Sequence, residues 1–216
     1  MTTEQRMSTS NRRRLVAVGA ATAALVGTVA LPSPVLAEPG DSADVRVTVD
    51  IEEIAEPGVL ALSIAGDSVA LSEDGSTLLM RQFVGTLPTV TVTDTRTPEE
   101  VPAGAAWAVL GSATDFVGDT GQAPIGADHL GWKPHLLDGG DTGLVTEGEE
   151  VVTILDDPTQ PGNNVGLVDQ ELLVSTFDST AVAGDSYSVN ADLYLRVLAE
   201  VAAGSYEATL TLSLFE

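Results

Sequence analysis

Few residues in this chain are equipped for chemistry: 216 residues hold no cysteine, two histidines and two tryptophans. Without a thiol there is no disulfide framework and no cysteine nucleophile. His129 and His135 stand six apart, which matches no regular metal-ligand spacing. General acid–base work would fall to paired carboxylates. With 32 acidic residues against nine basic ones, any pair can be nominated and none stands out. Asp138-Gly139-Gly140-Asp141 and Asp156-Asp157 carry oxygen ligands of the kind Ca²⁺ takes. They follow neither an EF-hand nor a nonapeptide repeat, so solvated loops with loose Ca²⁺ binding are expected, and no cofactor. The tryptophans offer different chemistry, because an indole has an apolar face and a polar edge that suit either a core or a sugar ring. Trp107 opens an apolar run and reads as core. Trp132, between Gly131 and Lys133-Pro134, reads as a loop residue, equally suited to core and platform. With Lys133 and Tyr206, these two make up the candidate binding set. Catalysis is not expected.

The N-terminus explains part of the charge balance. Arg6, Arg12, Arg13 and Arg14 form a basic segment, and residues 15–31 are almost wholly apolar. Pro32-Ser33-Pro34 then breaks the run, and Val35-Leu36-Ala37 puts small residues where a signal peptidase reads, before Glu38. Residues 1–37 read as a secretory signal peptide, of the general or the twin-arginine kind, and 38–42 as a short linker. Removing 1–37 takes four of the nine basic residues and one of the 32 acidic ones, leaving a net charge of about −26. That field repels nucleic acid, anionic lipid and anionic wall polymers. No membrane span is expected after cleavage, and localisation is expected to be extracellular.

The elements that would hold these residues are strands. Val45, Val47, Val49 and Ile51 alternate across 43–51, as do Thr and Val across 89–94, and Tyr206, Ala208, Leu210, Leu212 and Leu214 near the end. A period of two, rich in Val and Thr, marks a half-buried strand. Further strands are expected over 59–65, 78–85, 107–116, 151–155, 172–177 and 187–198, separated by Gly, Pro, Asp and Asn turns. Roughly nine to eleven strands without an amphipathic helix predict an all-β fold. The expected domain is a single β-sandwich of immunoglobulin-like, Greek-key type over 43–216.

Several of these residues fall in a known order. Asp94-Thr95-Arg96 is followed by Trp107 opening a strand that ends in Asp115-Phe116, then by Leu130-Gly131-Trp132, and finally by Ala203-Gly204-Ser205-Tyr206 running into Ala208-Thr209-Leu210-Thr211. This order resembles the WxL-domain proteins of Gram-positive cell surfaces, over most of the chain from about Thr89. The resemblance implies a β-sandwich, export and non-covalent attachment to the peptidoglycan-containing wall. It makes Asp94, Arg96, Asp115, Phe116, Gly204, Tyr206, Leu212 and Leu214 structural motif positions. Two departures fall on the residues that name the family: Val109 stands where Leu is usual, and Leu212 where the second Trp is usual. High Ala, Gly and Asp usage with little Lys points to a divergent, high-GC actinobacterial source. The expected partner is cell-wall glycan or, in a second reading, another surface protein joined by strand addition.

Overall fold

In the computed structural model the described residues are 48–50, 56–138 and 142–216. The chain divides into two units, Met1–Glu52 and Glu53–Glu216. The signal peptide, its Ala37/Glu38 cleavage site and the linker lie outside the described residues, as does most of the strand expected over 43–51. The described 48–50 are exposed and belong to no strand. Gly139, Gly140 and Asp141 of the acidic loop are also outside.

The second unit is an all-β sandwich. Its strands, in chain order, are β1 (Leu60–Ile64), β2 (Ser72–Glu73), β3 (Met80–Thr86), β4 (Val90–Asp94), β5 (Trp107–Ala113), β6 (Val117–Gly118), β7 (Leu130–Leu136), β8 (Val145–Glu147), β9 (Glu171–Thr176), β10 (Ser186–Leu198), β11 (Tyr206–Glu207) and β12 (Leu210–Phe215). One large sheet holds β1, β2, β3, β4, β7 and β10, the other runs β12-β5-β9-β8, and β6 and β11 form a small two-stranded ladder. All pairings between named strands are antiparallel.

β10 is the axis of the first sheet. Tyr187, Val189, Ala191, Leu193, Leu195 and Val197 are all buried, and the residues between them are not. Burying a large aliphatic side chain contributes about 1.5–3 kcal/mol, so this one strand supplies much of the inner face. Along one edge it pairs with β7; along the other it pairs with β4 and then β3, laid end to end. The register between Thr86–Asp192 and Val90–Val189 gains one residue on the β3–β4 side, which is a bulge at 87–89. Pro88 sits in it, where the ladder needs no donor. Leu87 N–H still reaches Ala191 O at 2.8 Å.

A second bulge shapes the other sheet. β5–β12 and β6–β11 form one ribbon whose register shifts by a residue between Ala113–Leu210 and Val117–Glu207. Asp115-Phe116 occupies the shift. The strand expected to run through 116 therefore stops at Ala113, and the expected closing strand is divided in two. Two other expectations are corrected. The stretch around Trp132 is strand β7, not loop. Residues 151–155 form no strand: Val151 makes a single bridge to Trp132 and Val152 one to Asn164.

Candidate functional site

The tryptophans come first, Trp107 expected in the core and Trp132 equally suited to core and platform. Both are buried: Trp107 is 1% exposed and Trp132 0%. They cross the space between the sheets from opposite sides. Trp107 leaves β5 and tilts against Tyr187 of β10, ring centroids 6.2 Å apart. The Trp132 ring leaves β7 and lies over Gly111 of β5, where a Cβ would stand 2.6 Å from the indole and 2.9 Å from Leu212. Gly111 is thus the residue that makes room for Trp132. Leu212, at the position where the resemblance expects a second Trp, shares that spot with the Trp132 ring. Neither indole offers a face to a sugar, so the platform role expected of Trp132 is not available to it. Lys133, between Trp132 and the buried Pro134, is exposed on the outer face.

The other motif residues gather at the two ends of the flank bounded by β12. At one end is a charged corner. Arg96 grips Asp94 with Nε on Oδ1 at 2.8 Å and Nη2 on Oδ2 at 2.7 Å, and its backbone N–H donates to Oδ1 at 3.0 Å. From its other side it holds both carboxylate oxygens of Glu216, just past β12, at 2.9 and 2.8 Å. Asp94 is 3% exposed and Arg96 9%. Burial alone would push the Asp94 carboxyl up, but the Arg96 hydrogen bonds and charge outweigh it and hold it below its ordinary value. Asp94, and to a lesser degree Glu216, hold Arg96 above its own. Asp94 and Arg96, motif positions by the resemblance, thus form an ion pair, extended by a third member that the alternation in 206–214 did not reveal.

At the other end lies an apolar cleft of about 530 Å³. Its floor comes from β10, through Leu193, Leu195 and Val197, with Phe83 of β3 alongside and Phe116, Ile125 and Leu130 beneath. Leu210, the first residue of β12, lines it too, as do Val69 and Leu71. The remaining wall is the small-residue run Ala202-Ala203-Gly204-Ser205, leading to Tyr206, Glu207 and Ala208. Three hydrogen bonds hold that wall in place: Tyr206 OH to Ala202 O at 2.8 Å, Asp119 N–H to Ser205 O at 3.0 Å, and Gln122 Nε2 to Ala203 O at 3.3 Å. The bulge explains Phe116. Asp115 Oδ1 accepts from Ala127 N–H at 3.0 Å, and Phe116 bridges Ile125, which turns the Phe side chain into the cleft. Phe116, Gly204 and Tyr206 therefore meet at one place. Asp115 positions them, while Leu212 and Leu214 lie further along β12.

Charge at the cleft is sparse. Arg81 is bound through Nε and Nη2 to the two oxygens of Glu73, at 3.0 and 2.8 Å, and lies over the Phe83 ring at 5.0 Å. Arg81 lowers the Glu73 carboxyl to about 2. The other charged lining residue, Glu207, pairs through its backbone with Val117 and is exposed; its side chain has no ion-pair or hydrogen-bond partner among the described residues. No His, Cys, Asp or Lys is among the described residues that line the cleft. It can enclose an apolar body.

The remaining candidates are occupied locally. His129 Nδ1 meets Asp128 at 2.7 Å, and His135 Nε2 meets Asp192 at 3.0 Å. Asp156 accepts from the Thr153 N–H and hydroxyl and pairs with Arg196. Asp138 accepts from Ser188 N–H at 2.6 Å. Among the described residues no group of three or more His, Cys, Asp or Glu is placed to hold a metal ion. No described helix is long and apolar enough to cross a membrane. No family model, curated protein or solved structure matches the chain. The WxL resemblance therefore rests on the residues quoted for it.

Proposed function

We propose that this chain is an exported, non-catalytic module of the cell surface that works by association with other surface proteins, further copies of itself included. The observation that carries this is the free edge of β12. β12 pairs only with β5 and ends its sheet among the described residues. Thr114 N–H donates to Thr209 O at 2.9 Å, which fixes the phase of the ladder. In antiparallel alternation the N–H and C=O groups of Leu210, Leu212 and Leu214 then point away from β5. Such a row is a template for an added strand.

Sedimentation of the chain from Glu38 onward tests this reading. Association that rises with concentration, is lost in Leu212→Pro and is kept in Leu212→Ala supports it, since both variants lose the leucine but only Pro loses the outward N–H. A monomer at every concentration would count against it.

Wall association is the second reading, favoured by the meeting of Phe116, Gly204 and Tyr206 at one cleft. With both indoles buried, the contact would be apolar and hydrogen-bonded and would not involve tryptophan stacking. Retention on purified sacculi should then be unchanged or strengthened by moderate salt or Ca²⁺, because a net charge of about −26 without residues 1–37 opposes an anionic wall. Release by salt would contradict it.

A further inference from the structure

The outward row of β12 suits a strand of definite character. Leu210, Leu212 and Leu214 pack against the core, Leu212 over Gly111, yet all three are only half-buried. Thr209, Thr211 and Ser213 alternate with them on the other face. In an antiparallel pair, residues directly opposite one another put their side chains on the same face. An added strand therefore needs apolar residues at three alternate positions, opposite the leucines, with polar ones between them.

Residues 45–51 have that pattern. Val45, Val47, Val49 and Ile51 alternate with Arg46, Thr48 and Asp50. β-Branched residues at every second position suit a half-buried strand. Of this stretch the structure describes 48–50, which belong to no strand, and Val49 is 77% exposed. Val49 and the β12 edge are each without a partner strand among the described residues. Resting on the association reading above, we infer that residues 47–51 of one copy add to β12 of the next as an antiparallel strand. Ile51 then stands opposite Leu210, Val49 opposite Leu212 and Val47 opposite Leu214. Thr48 and Asp50 lie against Ser213 and Thr211, so no charge is turned toward the core. Leu210 also lines the cleft, so Ile51, the largest of the alternating side chains, comes where the sheets stand apart. Donor and acceptor are different segments of one chain. The contact is head-to-tail and continues from copy to copy unless its rotation closes a ring.

Sedimentation of the chain beginning at Glu38 tests this with two variants and their mixture. Val49→Pro removes the N–H that faces Leu212 and should abolish association, while Val49→Ala should weaken it about tenfold. Because Val49 is exposed in its own chain, neither change should move the unfolding midpoint of the monomer. Val49→Pro keeps the β12 edge and Leu212→Pro keeps the donor segment. Mixed, these two monomeric chains should form 1:1 pairs and stop there. A crosslink needs neither proline. The chain has no cysteine, so Thr48→Cys combined with Ser213→Cys reports the contact directly. As a non-hydrogen-bonded pair, the two positions bring their Cα atoms to about 4.5 Å, within reach of a disulfide. Oxidation should give a ladder of covalent oligomers.

Association kept in Val49→Pro but lost in Leu212→Pro would overturn the inference and leave the association reading standing, with another segment at the edge. A disulfide closed within one chain would overturn it as well, since the segment would then cover its own β12. A monomer at every concentration, with no disulfide between chains, would end the association reading and this inference with it.

Discussion

The two ends of the β12 flank join the same pair of sheets in opposite ways. At the Glu216 end the join is polar: one guanidinium bridges two carboxylates, one of them almost fully buried. At the Leu210 end the sheets are left apart, and aliphatic residues and a run of Ala and Gly line the gap. The polar end makes strict demands, because a buried charge that loses its partner is costly. The apolar end makes few at its exposed alanines, Ala202 and Ala203, although an added Cβ at Gly204 would collide with Gln122. Stability should therefore be concentrated at the corner and tolerance of change at the cleft.

Arg96→Met is the sharpest way to break that contrast. It leaves Asp94 buried without its cation and should cost about 3–5 kcal/mol, read from the urea midpoint. Arg96→Lys should recover only part of this, since an ammonium cannot span both carboxylates in the guanidinium's fork. Trp132→Ala, midway along the flank, should cost about 3–5 kcal/mol by leaving a cavity over Gly111. Gly111→Ala should cost about 1–3 kcal/mol through overpacking, and much less when combined with Trp132→Leu. A double-mutant cycle that came out additive would show that the two residues do not compete for the same space.

Acid should act through the corner. The Asp94 carboxyl is held below its ordinary value of 3.8, so the unfolded chain takes up that proton first as the pH falls. The stabilisation is complete above that value and is lost as pH drops through the depressed one. Unfolding free energies measured from pH 5 downward should show this loss in the wild type and a flatter profile in Arg96→Met. The smallest effect belongs to the other end: Ala203→Trp should change stability by no more than about 0.5 kcal/mol. A large loss there would mean that the cleft wall bears load and would erase the contrast between the ends.

Most of the sandwich was legible because burial imposes a period of two. The runs around Val90–Asp94, Trp107–Ala113 and Ser186–Leu198 all show it, and each is a strand. β7 escaped because Gly131 and Pro134 read as loop punctuation. The bonds explain the exception. Trp132 exchanges both of its hydrogen bonds with Val151, so its N–H points away from β10, and the nitrogen of Pro134, two residues on, lies on that same outer edge. Asp94 and Arg96 stood out in the sequence as motif positions, whereas Glu216 did not, because it joins across two sheets. The cleft left only a faint trace, the small-residue run Ala202-Ala203-Gly204. Composition shows that such residues are small but not that the bulge at Asp115-Phe116 will open a space beside them.

The thirteen-residue strand β10 also sets a clock. Arg196 meets Gln82 across 114 residues of chain, and β3, β4 and β7 all wait for the same late segment. Until it arrives, β4 can pair only with β1 and β3 only with β2, while β7 has no strand to join, and pairing across so long a loop is slow, in the millisecond-to-second range typical of all-β topologies. Folding of the first sheet is therefore tied to delivery of the last third of the chain. A polypeptide released before residue 198 has unpaired edges exposed for that whole interval.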